Sequence, residues 1–216
     1  MAEFELVIGN RNYSSWSLRA WLMLMQTGAS AEEIVIPLDQ GSYKEDILAH
    51  SPAGQVPILK HGAVTVWDSL AIGEYLAERF PDAGLWPDAP DQRARARAVA
   101  CEMHAGFVAL RTHMPMDLRN AYPGQGREAG VAADIRRIID IWSSALAASS
   151  AGPYLFGGFT IADAMYAPVV GRFQTYDVAL PDDCRAYADA VWAHPHMRAW
   201  VNAARDEPWV IEVLTP

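Results

Sequence analysis

Cysteine is nearly absent: a chain of 216 residues holds two, Cys101 and Cys184. They lie far apart with no Cys-x-x-Cys spacing, so neither a dithiol redox site nor a disulfide framework is suggested. Long apolar runs are missing too. None approaches the ~18 residues that a membrane span needs, and no signal-peptide pattern opens the sequence. Positive charge is scarce, with 17 lysines and arginines against 26 acids and a formal net charge of −9, which argues against nucleic acid or an anionic membrane as a main partner. The stretch RARAR at 93–97 looks basic, but on a helix Arg93 and Arg97 share a face while Arg95 points away, as on a solvated helix. Of six histidines only His194 and His196 are close, across Pro195. Without a nearby cysteine or a further ligand they do not suggest a metal site. The expectation is a soluble, cytoplasmic protein without metal, whose 51% of hydrophobic residues suffices for a substantial core in one domain or two small ones.

The chain changes character along its length. Residues 1–80 alternate strand and helix signals: a strand at 4–9, a helix at 15–28, a short strand in EIVIP, a helical piece near 42–50, strands in VPILK and VTVWD joined through His61 and Gly62, and a helix at 69–80. Residues 81–90, PDAGLWPDAP, hold three prolines and a glycine and read as a linker. From 91 to 216 the signals are helical only, near 91–120, 128–149, 161–176, 182–193 and 195–206. The predicted organisation is an α/β unit followed by an all-helical unit.

Four stretches stand out. NYSSWSLRAWLMLM, residues 12–25, sets three serines at the entrance of an apolar helix that follows a buried strand. One serine suffices to cap a helix. A strand-to-helix turn in an α/β sheet also lies where ligands bind, and its free N–H groups favour an anion. Capping alone and anion binding both fit. SPAGQVPIL, residues 51–59, opens an apolar strand with Pro57, which must sit where no ladder N–H is required. VWDSLAIGEYLAERF, residues 66–80, puts Asp68 and Ser69 at another helix start, again either a cap or an anion site. In GGFTIADA, residues 157–164, Thr160 and Asp163 have capping-box spacing.

Taken in order, these motifs and the linker resemble the glutathione transferase superfamily over nearly the whole chain, and SSWSLR (14–19) resembles the SSCSWR serine motif of its zeta class, which includes maleylacetoacetate isomerases. The resemblance implies a thioredoxin-like N-terminal domain over 1–80 that binds glutathione, and a helical-bundle C-terminal domain over 91–216 that contributes the second-substrate pocket. It implies that Ser14, seconded by Ser15, favours the glutathione thiolate over the thiol. A thiol near pKa 8.5 is only slightly ionised at neutral pH, so a shift of about two units makes the nucleophile abundant. It further implies that Pro57 is a cis-proline presenting Val56 to the cysteinyl unit, that Asp68 and Ser69 hold the γ-glutamyl end, that Gln55 reaches the peptide, and that Gln40 and Lys44 approach the glycyl end. Trp16, His104, Phe107, Arg111, His113 and Met114 are candidates for the lining of the second-substrate pocket.

Two departures from the zeta pattern matter. Trp16 stands where the motif has cysteine, and Thr175 stands where an ungapped alignment puts the family's substrate-binding arginine; Arg172, one turn earlier, is the candidate replacement. The resulting expectation is a serine-type glutathione transferase acting on a small electrophile, homodimeric as family members commonly are. A zeta-type isomerase and a non-catalytic binding or regulatory protein of the same fold are the alternatives.

Overall fold

The computed structural model describes residues 2–149 and 152–212, so the outer ends of both expected domains lie outside the described residues. The chain runs β1 (Phe4–Ile8), α1 (Ser15–Gln26), β2 (Ala31–Val35), α2 (Tyr43–His50), β3 (Ile58–His61), β4 (Val64–Trp67) and α3 (Ser69–Arg79). A short turn of 3₁₀ helix at Pro81–Ala83 leads to α4 (Pro90–Ala105), α5 (Val108–His113), α6 (Val131–Ala148), α7 (Ile161–Thr175), α8 (Asp182–Ala193) and α9 (Pro195–Asp206).

The four strands form one sheet in the order β2-β1-β3-β4. β1 pairs parallel with β2, and antiparallel with β3, which pairs antiparallel with β4. β1 and β3 are central, which is why FELVI is apolar almost throughout while the edge strand β4 exposes Val64 and Trp67. One sheet face meets α2 through Val7, Ile36, Ile47 and Ile58. The other is covered by α1 and α3, and that core runs on without a break into the helical half. α1 packs on α3 and on α7, and α7 is buried along nearly its whole length. Gly73 lets α3 come close to α1: a Cβ there would lie 2.7 Å from Met23 Sδ.

α7 starts at the box foreseen from GGFTIADA. Asp163 Oδ2 accepts from Thr160 N at 2.8 Å, Oδ1 accepts from Leu155 N at 3.0 Å, and the reciprocal Thr160 contact completes the box.

The helix expected over 91–120 is two helices and a loop. Gly106 is extended and Phe107 has φ 57°, so the chain turns out of α4 before α5 begins. α5 in turn stops ahead of Pro115, which disfavours helical backbone in the residue before it. The strand read in EIVIP sits at 31–35, two residues earlier than expected.

Candidate active site

β1 ends at Ile8, and the chain turns through residues 9–14 into α1. Gly9 permits the turn, since a Cβ there would lie 2.7 Å from Leu38 Cδ1 and 3.2 Å from Ser14 Cβ. Ser14 is the N-cap of α1 and its Oγ accepts weakly from Ser17 N at 3.4 Å. Its hydroxyl donates to Ser17 Oγ at 2.7 Å, and Ser17 Oγ accepts from Gly9 N at 3.0 Å. Ser17 is thereby consumed in shaping the turn.

Ser14, Ser15 and Trp16 line a cleft of about 530 Å³. Its far wall is the turn before β3, with Gln55, Val56 and Pro57, and the N-terminus of α3, with Asp68 and Ser69. The Val56–Pro57 peptide is cis. Asp68 caps α3, its Oδ1 accepting from Leu70 N at 2.8 Å and Ala71 N at 3.3 Å. Ser69 lines the same cleft, and its buried Oγ has no hydrogen-bond partner. An unpartnered buried hydroxyl costs free energy unless a ligand supplies its partner.

Nine of the residues singled out from the sequence therefore meet in one cleft: Ser14, Ser15, Trp16, Gln55, Val56, Pro57, Asp68, Ser69 and His104. Others do not. Gln40 and Lys44 are exposed and line no part of it, because Tyr43 and Ile47 are the residues that α2 turns inward. Phe107 is buried at the start of α5. Arg172 is buried as well, with Nε donating to Met114 O at 2.8 Å, Nη1 to Pro168 O at 3.3 Å and Nη2 to Ser15 Oγ at 3.4 Å. It reaches the serine turn through Ser15 and is not among the residues that line this cleft. Thr175 is committed to the carbonyls of Asp117 and Gly171.

Sequence reasoning did not single out Tyr13, Leu38 or Tyr43, which also line the cleft. His104 of α4 lines it on the side of the helical half, with its ring edge-on to Trp16 at 5.2 Å between centroids.

Three guanidiniums gather behind the turn. Arg19 is fully buried on α1, donates to Met165 O at 2.9 Å and lies 4.1 Å from the Trp16 ring, while its two Nη atoms have no partner. Arg111 stacks on the same ring at 5.3 Å. Burial, aided by Arg172 and Arg111, holds the Arg19 pKa well below its usual value. Burial and Arg111 push that of Arg172 down to about 10. A guanidinium keeps its charge in proteins, so this side of the serine turn has a positive potential.

Residues 13–79 match the glutathione S-transferase N-terminal domain and residues 90–203 the glutathione S-transferase C-terminal domain. The chain belongs to the glutathione S-transferase family. It is 25% identical over 97% of its length to glutathione S-transferase GstB of Escherichia coli, covering 97% of that protein. It is 27% identical over 76% of its length to Arabidopsis thaliana glutathione S-transferase F14, of which it spans 65%, just under two thirds. Among solved structures, a maleylpyruvate isomerase described as a bacterial glutathione S-transferase of the zeta class superposes with a TM-score of 0.73 at 26% identity, covering 94% of this chain and 99% of that one. The N-terminal sheet with its helices and the helical half after it are the transferase fold. Among the described residues no helix is long and apolar enough to cross a membrane, and no group of three or more His, Cys, Asp or Glu is placed to hold a metal ion.

Proposed function

We propose that the cleft binds glutathione and that the protein is a serine-type glutathione transferase. The observation that carries this is the buried Ser69 hydroxyl, without a partner at the N-terminus of α3, in the same cleft as Val56 and the serine turn. A carboxylate there gains the hydroxyl and the partial positive charge of the helix N-terminus, whose Leu70 and Ala71 N–H groups are already taken by Asp68. The Val56 backbone, ahead of Pro57, is free to pair with a peptide in extended form, as an added strand would.

Glutathione, when bound, supplies the sulfur that displaces a leaving group from an electrophilic carbon or adds to an activated double bond. The protein's part is to hold that sulfur ionised. Ser14 turns its proton from Ser17 to the sulfur, and Ser17, fixed by Gly9 N–H, donates to Ser14 Oγ in exchange. The N-terminus of α1 and the guanidiniums of Arg19, Arg111 and Arg172 favour the anion further. Binding energy fixes the thiolate beside an electrophile that lies against Trp16 and His104.

A zeta-type isomerase is the second reading, favoured by the likeness to the maleylpyruvate isomerase structure. The burial of Arg172 weighs against it, because a dicarboxylate would lack that bidentate partner. Exposed Trp67 and Val64 on the edge strand β4 support a homodimer through that side of the sheet.

The reading is tested by titrating glutathione into the protein in a calorimeter and assaying conjugation of a neutral halogenated aromatic. Binding with turnover supports it. Binding without turnover would point to a regulatory or binding protein, and no binding would refute it.

A further inference from the structure

The serine turn is reached through Arg11, Asn12 and Tyr13, and the partners of these residues come largely from the helical half of the chain. Arg11 N donates to Glu207 Oε1 at 2.8 Å and Asn12 N to Glu207 Oε2 at 3.1 Å. Two consecutive amides thus close on the two oxygens of one carboxylate that is buried past the end of α9. Arg11 O accepts from Trp200 Nε1 at 2.9 Å, and the Asn12 side chain is held by Leu118 N at 2.8 Å and Asp117 Oδ1 at 2.9 Å. The tail is tied down in turn. Arg119 donates to Glu207 O, to Trp209 O at 2.6 Å and to Tyr13 Oη at 3.1 Å, so one guanidinium spans the tail and a residue of the cleft wall.

We propose that Glu207 is a positioning residue for the serine turn, resting on the reading of the cleft as a glutathione site. Successive N–H groups form a small anion-binding concavity, and a carboxylate fills it better than any neutral side chain, since both amides need an acceptor. Ser14 N donates to Asn10 O at 2.8 Å, so the serine is hydrogen-bonded across the loop that Glu207 grips. Arg11 Nη1 lies 3.7 Å from Glu207 Oε1, while its Nη2 pairs with Glu33, and Arg119 donates to the Glu207 carbonyl. Ser69 and Val56 belong to the part of the cleft formed at β3 and α3. The tail therefore sets where the sulfur-facing hydroxyl stands, while the glutathione backbone is held elsewhere.

Glu207→Gln replaces one acceptor with an NH₂ group, which faces an amide N–H and dislodges the loop. In the full-length protein, conjugation kcat should fall about tenfold to a hundredfold, because misplacing a reacting group by about 1 Å costs that much. The glutathione Kd should change less than about threefold, because the γ-glutamyl and cysteinyl contacts are untouched. The bound thiol should also titrate closer to the free value, read by thiolate absorbance against pH. Glu207→Asp keeps the charge and should lie between the two in kcat and thiol pKa; it carries the test if Glu207→Gln does not fold. Variants with a lower unfolding midpoint but wild-type thiol pKa and kcat would overturn the proposal and leave Glu207 as an anchor of the tail alone. A wild-type protein that fails to bind glutathione would overturn the reading of the cleft and the proposal with it.

Discussion

His104 Nε2 lies 2.6 Å from Asp68 Oδ2, so a histidine of α4 is hydrogen-bonded to the carboxylate that caps α3. The contact joins the helical half to the wall of the cleft at the residue next to Ser69. Both side chains are partly exposed, at 32% and 42%, and pairs of this kind contribute about 0.2–1 kcal/mol. His104→Ala should therefore weaken glutathione binding less than about fivefold, by calorimetry. A loss of a hundredfold would show that His104 touches the ligand itself.

Ser69 stands in contrast. Its hydroxyl is buried and unpartnered, and a hydrogen bond to a charged group is worth about 1.5–3 kcal/mol. Ser69→Ala should raise the glutathione Kd by roughly ten- to a hundredfold while leaving the unfolding midpoint at or above wild type, since a buried polar group without a partner is removed. An unchanged Kd would take Ser69 out of the site.

Asp163 gives the fold a pH dependence. Burial raises its pKa to about 6 from 3.8, against the hydrogen bonds from Leu155 and Thr160 that lower it. A carboxyl with a raised folded pKa contributes stability that is present below the unfolded value and lost as pH rises through the folded one. Relative to Asp163→Asn, the wild type should lose up to about 3 kcal/mol between pH 4 and 7, at 1.36 kcal/mol per unit. Parallel stability curves for the two proteins would contradict this. Thr160→Ala should cost about 0.5–2 kcal/mol at any pH by breaking the box.

Arg172 separates the two enzyme readings. As a buried donor to Met114 O and Pro168 O it is structural, and Arg172→Ala should lower stability by about 2–4 kcal/mol through the cavity and the stranded carbonyls. The wild type should have a higher kcat/KM for a neutral halogenated aromatic than for isomerisation of a cis dicarboxylate such as maleylacetoacetate. A variant as stable as wild type that has lost only isomerase activity would return Arg172 to the substrate.

What was legible in the sequence was local. The apolar run of β1, the serines ahead of α1, Pro57 opening a strand, Asp68 and Ser69 at a helix start and the box at Thr160 are all patterns within a few residues, and each has its expected backbone. The break between α4 and α5 was missed although Gly106 marks it, the C-cap of α4 where a Cβ would lie 2.7 Å from Glu102 O, because Phe107 after it, with a left-handed φ of 57°, is no turn residue. Arg172 was chosen by proximity along a helix and Lys44 by resemblance alone, and on α2 it is Tyr43 and Ile47 that face the cleft while Lys44 is exposed. Glu207 and Arg119 were out of reach altogether: Glu207 meets Arg11 across 196 positions of chain, a pairing that no periodicity or spacing encodes.

The central claim is that the serine turn holds glutathione as a thiolate, and the most direct measurement is thiolate absorbance of the bound peptide titrated against pH in wild type, Ser14→Ala and Ser15→Ala. In the wild type the bound thiol should ionise about two units below a free thiol. In Ser14→Ala it should return most of the way to the free value while glutathione still binds through Ser69 and Val56, and in Ser15→Ala the change should be smaller. A wild-type complex whose thiol titrates like free glutathione, or a Ser14→Ala complex that titrates like wild type, would contradict the account.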